Sequence, residues 1–212
     1  MQKQKTIYHL IVDKSGSMSD CIENTINGVN EQVKKITDLQ KEFSEQELTI
    51  GLTTFNHEVY HHFFQSPPVA VRKISTETYQ TSGTTALLDA IGMTATTIEK
   101  EMKMHENKIP TTVVIVILTD GYENSSRLFK LEDIRKLISR LEETGNWTFS
   151  FLGATLDAVE VAESLSIKKQ NSSVFMKENM NNEVWSKLSD SMEGYFDKKR
   201  KGRSLNNLFG KD

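Results

Sequence analysis

Apolar residues follow two rhythms along this chain. Ile7-Tyr8-His9-Leu10-Ile11-Val12 is a short, nearly continuous apolar run. Ile22, Ile26, Val29, Val33, Ile36, Leu39 and Phe43 then recur at steps of three or four. The first rhythm predicts a strand over Thr6 to Val12, and the second one face of a helix from about Asp20 to Phe43. The exchange repeats to the far end of the chain. Leu48 to Phe55 reads as a strand, Asn56-His57-Glu58 as a turn and Val59 to Phe64 as a returning strand, which makes a hairpin. Ser66-Pro67-Pro68 ends it, and Val69 to Tyr79 fits either a short strand or helix followed by loop.

Thr81-Ser82-Gly83-Thr84-Thr85 is a polar loop opening a helix from about Ala86 to Glu106, with Leu88, Ile91, Ala95, Ile98 and Met102 on one face. Thr111 to Thr119 is a β-branched run of the kind that fills a central strand buried on both faces. Asp120-Gly121 stops it, and Glu123 to Arg127 is loop. The pattern continues with a helix over Leu131 to Thr144, a strand over Trp147 to Leu152, a helix over Leu156 to Leu165, a strand over Ser172 to Met176 and a helix over Asn181 to Lys199. That last helix turns Trp185, Leu188, Met192, Tyr195 and Phe196 inward. Strands alternating with helices predict a doubly wound α/β fold. Its mostly parallel central sheet has about six strands, one of them an antiparallel edge strand, and carries helices on both faces. Residues 1–200 are expected to form one domain, and 201–212 a flexible basic and polar tail.

Composition narrows the function classes. With 212 residues, 37% hydrophobic and 26% charged, the chain can bury a sizeable core. No stretch approaches the ~20 apolar residues of a membrane span, and Met1 to Lys5 is polar, with no signal-peptide pattern. The single cysteine, Cys21, excludes an internal disulfide and fits a reducing, cytoplasmic setting. Net charge is −3, yet Lys198, Lys199, Arg200, Lys201 and Arg203 hold five of the 26 basic residues; the other 21 face 29 acidic ones. A folded body so balanced is not expected to bind nucleic acid.

Candidate chemistry lies where strands hand over to helices. Asp13-Lys14-Ser15-Gly16-Ser17-Met18-Ser19 follows the first strand and places one carboxylate and two hydroxyls on alternate residues. Helix N-capping alone accounts for such residues equally well. In open α/β sheets, however, ligands bind beyond the carboxyl ends of the strands, where Asp13 and Asp120 both fall. If those strands are neighbours, Asp13, Ser15, Ser17, Asp120 and Thr85 (or Thr84) share one crevice. That set holds two carboxylates and three hydroxyls, with no imidazole or thiolate. Its chemistry suits Mg²⁺, Mn²⁺ or Ca²⁺ and argues against Zn²⁺.

These segments resemble the von Willebrand factor type A (vWA) domain family over roughly residues 5 to 196. Its metal-ion-dependent adhesion site (MIDAS) reads Asp-x-Ser-x-Ser, then a Thr in a second loop, then an Asp in a third. Asp13, Ser15 and Ser17 match the first part, Asp120 the third, and Thr85, just before Ala86-Leu87-Leu88, is the preferred Thr. The resemblance implies a vWA/Rossmann-like fold, an intact MIDAS and an intracellular, bacterial-type member. It implies binding rather than catalysis: the metal's open position takes an Asp or Glu of a protein partner. Lys14, Met18, Ser82, Thr84, Tyr122 and Arg127 are expected on the rim that selects that partner. The domain is expected to be monomeric and not membrane-bound. In adhesion-type relatives the last helix moves to switch affinity; Trp185, Tyr195 and Phe196 would resist such sliding here.

Other readings compete. A Mg²⁺-dependent hydrolase or phosphatase using Asp13 and Asp120 would want a second Asp where Ser15 stands. No phosphate-cradling glycine loop and no G-x-S-x-G elbow is present. A metal-independent scaffold is the remaining alternative. His57, His61 and His62 suggest an exposed hairpin more than a transition-metal patch. Cys21 reads as a small buried hydrophobe more than a nucleophile. The basic cluster from Lys198 to Arg203 reads as a solvated helix end, and Leu205, Leu208 and Phe209 as a short docking motif for the domain itself or for a partner.

Overall fold

Strand β4, Thr111–Thr119, is the axis of the molecule. Its apolar side chains, nearly all β-branched, alternate between two cores: Val114, Val116 and Leu118 enter one, and Val113, Ile115 and Ile117 the other. β1 (Gln4–Asp13) runs parallel beside it and divides its residues the same way. Tyr8, Leu10 and Val12 face the first core, and Ile7 and Ile11 the second. The structure is a computed structural model that describes residues 4–104, 109–155, 157–177, 180, 184–201 and 208–209.

The remaining strands are β2 (Gln46–Phe55), β3 (Val59–Ser66), β5 (Trp147–Gly153) and β6 (Ser172–Val174). They complete a six-stranded sheet in the order β3-β2-β1-β4-β5-β6. All neighbours are parallel except the β2–β3 hairpin, which makes β3 the antiparallel edge strand. The α1 helix (Ile22–Glu42) and α5 (Trp185–Arg200) cover one face; α2 (Leu87–Met104), α3 (Leu131–Glu143) and α4 (Ala158–Ser164) cover the other. The expected doubly wound architecture is therefore observed. The chain leaves β1 for β2 on one side and reaches β4 on the other, so the crevice between β1 and β4 is the switch point where such sheets bind ligands.

Three local expectations change. Between β1 and α1 stands a separate 3-10 turn, Gly16–Asp20. Its geometry drives Met18 fully into the first core, so Met18 has no surface to offer a partner. The ambiguous stretch after β3 is mostly loop, with one 3-10 turn at Pro68–Ala70. It is held by tertiary contacts: the Asn30 side chain accepts from the Ile74 N–H and donates to its carbonyl, each at 3.0 Å. In the tail, Leu208 is buried in the first core and its N–H donates to Asn171 Oδ1 at 2.9 Å, while Lys187 Nζ lies 5.3 Å from the Phe209 ring centroid. Leu205 and Arg203 lie outside the described residues. So do the expected beginnings of the last two helices at Leu156 and Asn181, and the end of the second helix at 105–106.

The basic cluster is only partly a solvated helix end. Arg200 and Lys201 pair with Asp197, but Lys199 is buried among oxygens. Its ammonium donates to Thr6 Oγ1 (2.6 Å), Thr112 Oγ1 (2.8 Å) and the Lys5 carbonyl (2.8 Å), fastening the end of α5 to the starts of β1 and β4. Burial pushes Lys199 down to about 8, whereas an unfolded lysine titrates near ~10.4. Between those values the unfolded chain holds more protons, so stability rises with pH. Urea melts should show a gain of about 1–2 kcal/mol from pH 8 to 9.5, and Lys199→Met should remove that slope. A wild-type curve as flat as the variant's would contradict the assignment.

Candidate functional site

The site is assembled by stitching three loops together before any ligand is considered. β1 and β4 are in register from Lys5↔Thr111 to Val12↔Leu118, which sets Asp13 opposite Thr119. The Thr119 hydroxyl donates to Asp13 Oδ2 at 2.6 Å, and the Ser15 N–H donates to Oδ1 at 2.7 Å. The Tyr79 hydroxyl donates to the Asp13 carbonyl at 2.5 Å. The second loop is sewn to the first by backbone bonds: Ser82 N–H to the Lys14 carbonyl (2.9 Å) and Gly16 N–H to the Gly83 carbonyl (3.0 Å). Gly83 sits at φ +72°, a left-handed conformation that suits glycine. A Cβ there would also stand 2.3 Å from His57 Nδ1.

The third loop, after β4, wraps the N-terminus of α2 with side-chain acceptors. Asn124 Oδ1 accepts from the Thr85 N–H at 2.8 Å, and Glu123 Oε2 from the Leu88 N–H at 2.9 Å. Ser126 Oγ accepts from the Asp89 N–H at 3.0 Å. Asp89 in return accepts from the N–H groups of Arg127, Leu128 and Phe129. Helix N-termini leave such donors free, and carboxylates satisfy them best. The stretch from Glu123 to Arg127 therefore has a structural task alongside any contact with a partner. Sequence inspection does not find this task, because acceptors and donors lie more than 30 residues apart.

Within this frame Asp13, Ser15, Ser17, Thr85 and Asp120 come together. Ser15 Oγ is 3.1 Å from Ser17 Oγ, and the Ser17 hydroxyl donates to Asp120 Oδ1 at 2.7 Å. Thr85 is buried beside Asn124, whereas Thr84 is exposed, so Thr85 is the threonine that turns inward. The spacing can be read at Gly121. A Cβ added there would stand 3.1 Å from Thr85 Oγ1, 3.6 Å from Ser17 Oγ and 3.8 Å from Asp13 Oδ2. Oxygens from the first two loops thus border one small space beside Gly121 of the third, and Asp120 is joined to them through Ser17. Asp120 Oδ2 is buried there with no hydrogen-bond partner among the described residues.

The electrostatics favour a cation. Burial raises the Asp13 carboxyl to about 6; its hydrogen bonds from Thr119 and Ser15 oppose the rise, and the Asp120 charge adds to it. Two carboxylates held together out of water are costly unless positive charge joins them. The oxygen-only donors and the space bordered by three of them fit a divalent ion. One group absent from the sequence reading already stands here. Lys177, just beyond β6, brings its ammonium to 2.5 Å from Asp120 Oδ2. That ion pair is the contact of an oxygen with no other partner among the described residues.

Of the expected rim, Ser82, Thr84, Tyr122 and Arg127 are exposed and Lys14 is half-buried; Met18 drops out. The Tyr122 hydroxyl donates to Asp157 at 2.9 Å. The hairpin histidines point to opposite faces, as alternation requires: His61 Nδ1 pairs with Thr53 Oγ1 (2.7 Å) and His62 Nε2 with Thr54 Oγ1 (2.9 Å). Cys21 is buried, and burial pushes its thiol up to about 11, which suits a packing role.

Residues 9–191 match the family profile of the von Willebrand factor type A domain. The chain belongs to that family, whose domains are protein-interaction modules. Three solved structures share the fold. A von Willebrand factor type A protein from Catenulispora acidiphila aligns at TM-score 0.59 and 14% identity, over 90% of this chain and 43% of that one. Proximal thread matrix protein 1 from the mussel byssus, in a form described with a zinc-occupied MIDAS motif, aligns at 0.59 and 12%, over 85% and 46%. The vWF domain of the type V pili tip protein Mfa5 from Porphyromonas gingivalis aligns at 0.61 and 9%, over 91% and 96%. The chain spans less than half the length of the first two. A search of curated proteins by sequence gave no match. No helix among the described residues is long and apolar enough to cross a membrane.

Proposed function

We propose that this domain is a metal-dependent protein-interaction module, in which Asp13, Ser15, Ser17, Thr85 and Asp120 hold one divalent cation and a protein partner supplies an Asp or Glu to it. The observation that carries the reading is the meeting of Asp13, Ser17 and Thr85 oxygens around one small space beside Gly121, with Asp120 joined to them through the Ser17 hydroxyl. A bound divalent ion would supply the positive charge that a partner's carboxylate seeks. Two carboxylates neutralise that charge only in formal terms, and the hydroxyls add none, so the site keeps its appetite for a further anionic oxygen. Asp13 and Asp120 hold the charge, Thr119 and the Ser15 N–H fix the Asp13 oxygens, and Lys14, Ser82, Thr84, Tyr122 and Arg127 border the approach.

Mg²⁺ and Mn²⁺ are the expected occupants, with Ca²⁺ next. The oxygen-only donor set argues against zinc, but the mussel byssus protein carries zinc in its MIDAS motif, so zinc belongs in the same test. Binding rather than turnover is the reading, because Ser15 stands where a phosphatase-like mechanism would want a second carboxylate. A monomeric domain in the cytoplasm completes the proposal, supported by a single buried cysteine.

The test is calorimetric titration of Mg²⁺, Mn²⁺, Ca²⁺ and Zn²⁺ into chelator-stripped protein, followed by capture of partners with Mg²⁺ and with chelator. One cation per chain, with a partner retained in Mg²⁺ and released by chelator, is expected. Folded protein that takes up none of these ions overturns the reading. A partner held equally well in chelator would make the domain a metal-independent scaffold.

A further inference from the structure

Lys177 has no place in the five-residue motif, yet among the described residues it makes the closest cationic approach to it. Its ammonium is 2.5 Å from Asp120 Oδ2, 2.7 Å from the Ser17 carbonyl oxygen, and 3.0 and 3.2 Å from the two carboxylate oxygens of Asp20. The Asp120 side chain is fully buried, while those of Lys177 and Asp20 are 25% and 63% exposed. Lys177 thus reaches from the surface into the crevice and meets the Asp120 oxygen that has no other partner among the described residues.

We infer that Lys177 is an internal cation competing with the divalent ion for Asp120, so that it sets the affinity of the site and leaves Asp120 when metal binds. The inference rests on the metal reading above and names the regulation of the same crevice. Asp120 does not need Lys177 to hold it: Oδ1 is fixed by the Ser17 hydroxyl and the residue directly follows β4. A positioning role is therefore already filled. What Lys177 adds is charge. An ammonium and a divalent ion drawn to one buried carboxylate repel each other across a few ångströms, where water screens poorly. Asp20 offers the ammonium a second place to rest. It is exposed, it is already in contact, and it is none of the five proposed ligands. Lys177 can therefore turn outward at little cost while the backbone stays where it is.

The experiment compares Mn²⁺ affinity of wild type, Lys177→Met and Lys177→Arg, with Asp13→Ala as the metal-site control. Lys177→Met keeps an unbranched apolar stem of nearly the same length and removes the ammonium with its charge and its donors. It should bind Mn²⁺ roughly 5- to 50-fold more tightly than wild type, within the usual range of coupling between two competing binding events; Lys177→Arg should stay near wild type. In parallel, the rate at which an amine-reactive reagent labels Lys177, read by mass spectrometry, should rise in saturating Mn²⁺ while distant lysines are unchanged. Equal or weaker Mn²⁺ binding by folded Lys177→Met overturns the competition while leaving the metal site standing. Labelling of Lys177 that does not rise with Mn²⁺ overturns its departure from Asp120. Absence of Mn²⁺ binding in both folded proteins overturns the metal reading and this inference together.

Discussion

Asp13→Ala is expected to lower divalent-cation affinity at least 100-fold and to leave the domain folded. The substitution removes half of the formal negative charge among the five proposed ligands. It removes it at the innermost point, where the side chain is buried, and hydroxyls and water cannot replace that charge. The structural cost is smaller because two terms oppose each other. Thr119 Oγ1 and the Ser15 N–H lose their acceptor, which costs about 1–3 kcal/mol when such donors stay buried. The protein is also relieved of a carboxylate that burial already disfavours. Net stability should shift by no more than about 2 kcal/mol, within the reach of a domain of ordinary stability. Asp13→Asn separates charge from shape: it keeps an acceptor in place and should still lose metal. Calorimetric titration beside a thermal melt reads both quantities, and wild-type affinity in Asp13→Ala would remove this carboxylate from the proposed site.

Trp185→Ala is expected to cost about 3–5 kcal/mol, as deletion of a fully buried aromatic side chain does. The indole lies against Gly28 of α1 so closely that a Cβ at residue 28 would stand 1.9 Å from Cε2 and Nε1 of the ring. A helix interior normally favours alanine over glycine by about 1 kcal/mol, so Gly28 is present for the space it leaves. Gly28→Ala should therefore destabilise by about 2–3 kcal/mol, because a rigid, fully enclosed ring has to move. The double variant is the decisive measurement. With Trp185→Ala already made, Gly28→Ala should become neutral or stabilising, since the clash is gone and the propensity gain remains. Denaturant melts of the four proteins give the coupling directly. Simple additivity would mean that the two residues do not share the contact.

The parts of the fold that were legible in the sequence are those whose signal is local. Thr111–Thr119 has the bounds its β-branched run predicts, because a strand buried on both faces has no polar position to blur the pattern. The α1 stripe likewise falls on buried residues from Ile26 onward, with Ile22 partly buried at its start. The loop after β3 was not legible because Asn30 holds Ile74 from another element, and no nearby residue announces it. At the site, the Asp and Ser positions followed from spacing, but the choice between Thr84 and Thr85 rested on family resemblance. In the structure it is Asn124, far along the chain, that fixes Thr85. Met18 was misplaced because it was read as part of an exposed loop, and the 3-10 turn over Gly16–Asp20 carries it into the core. Lys177 gave no signal, since its approach to Asp120 depends on where β6 ends.

The two fastenings of α5 have a consequence for how the domain works. Trp185 is keyed into α1 at one end, and Lys199 is threaded between the starts of β1 and β4 at the other. For this helix to ratchet by one turn, about 5.4 Å, both anchors would have to come out together, stranding a bulky ring and a buried ammonium. A ligand that had to drive such a step would forfeit the corresponding part of its own affinity. On the proposed reading, a domain held this way would be a ready-made socket, its occupancy following the concentrations of ion and partner rather than a movement of this helix.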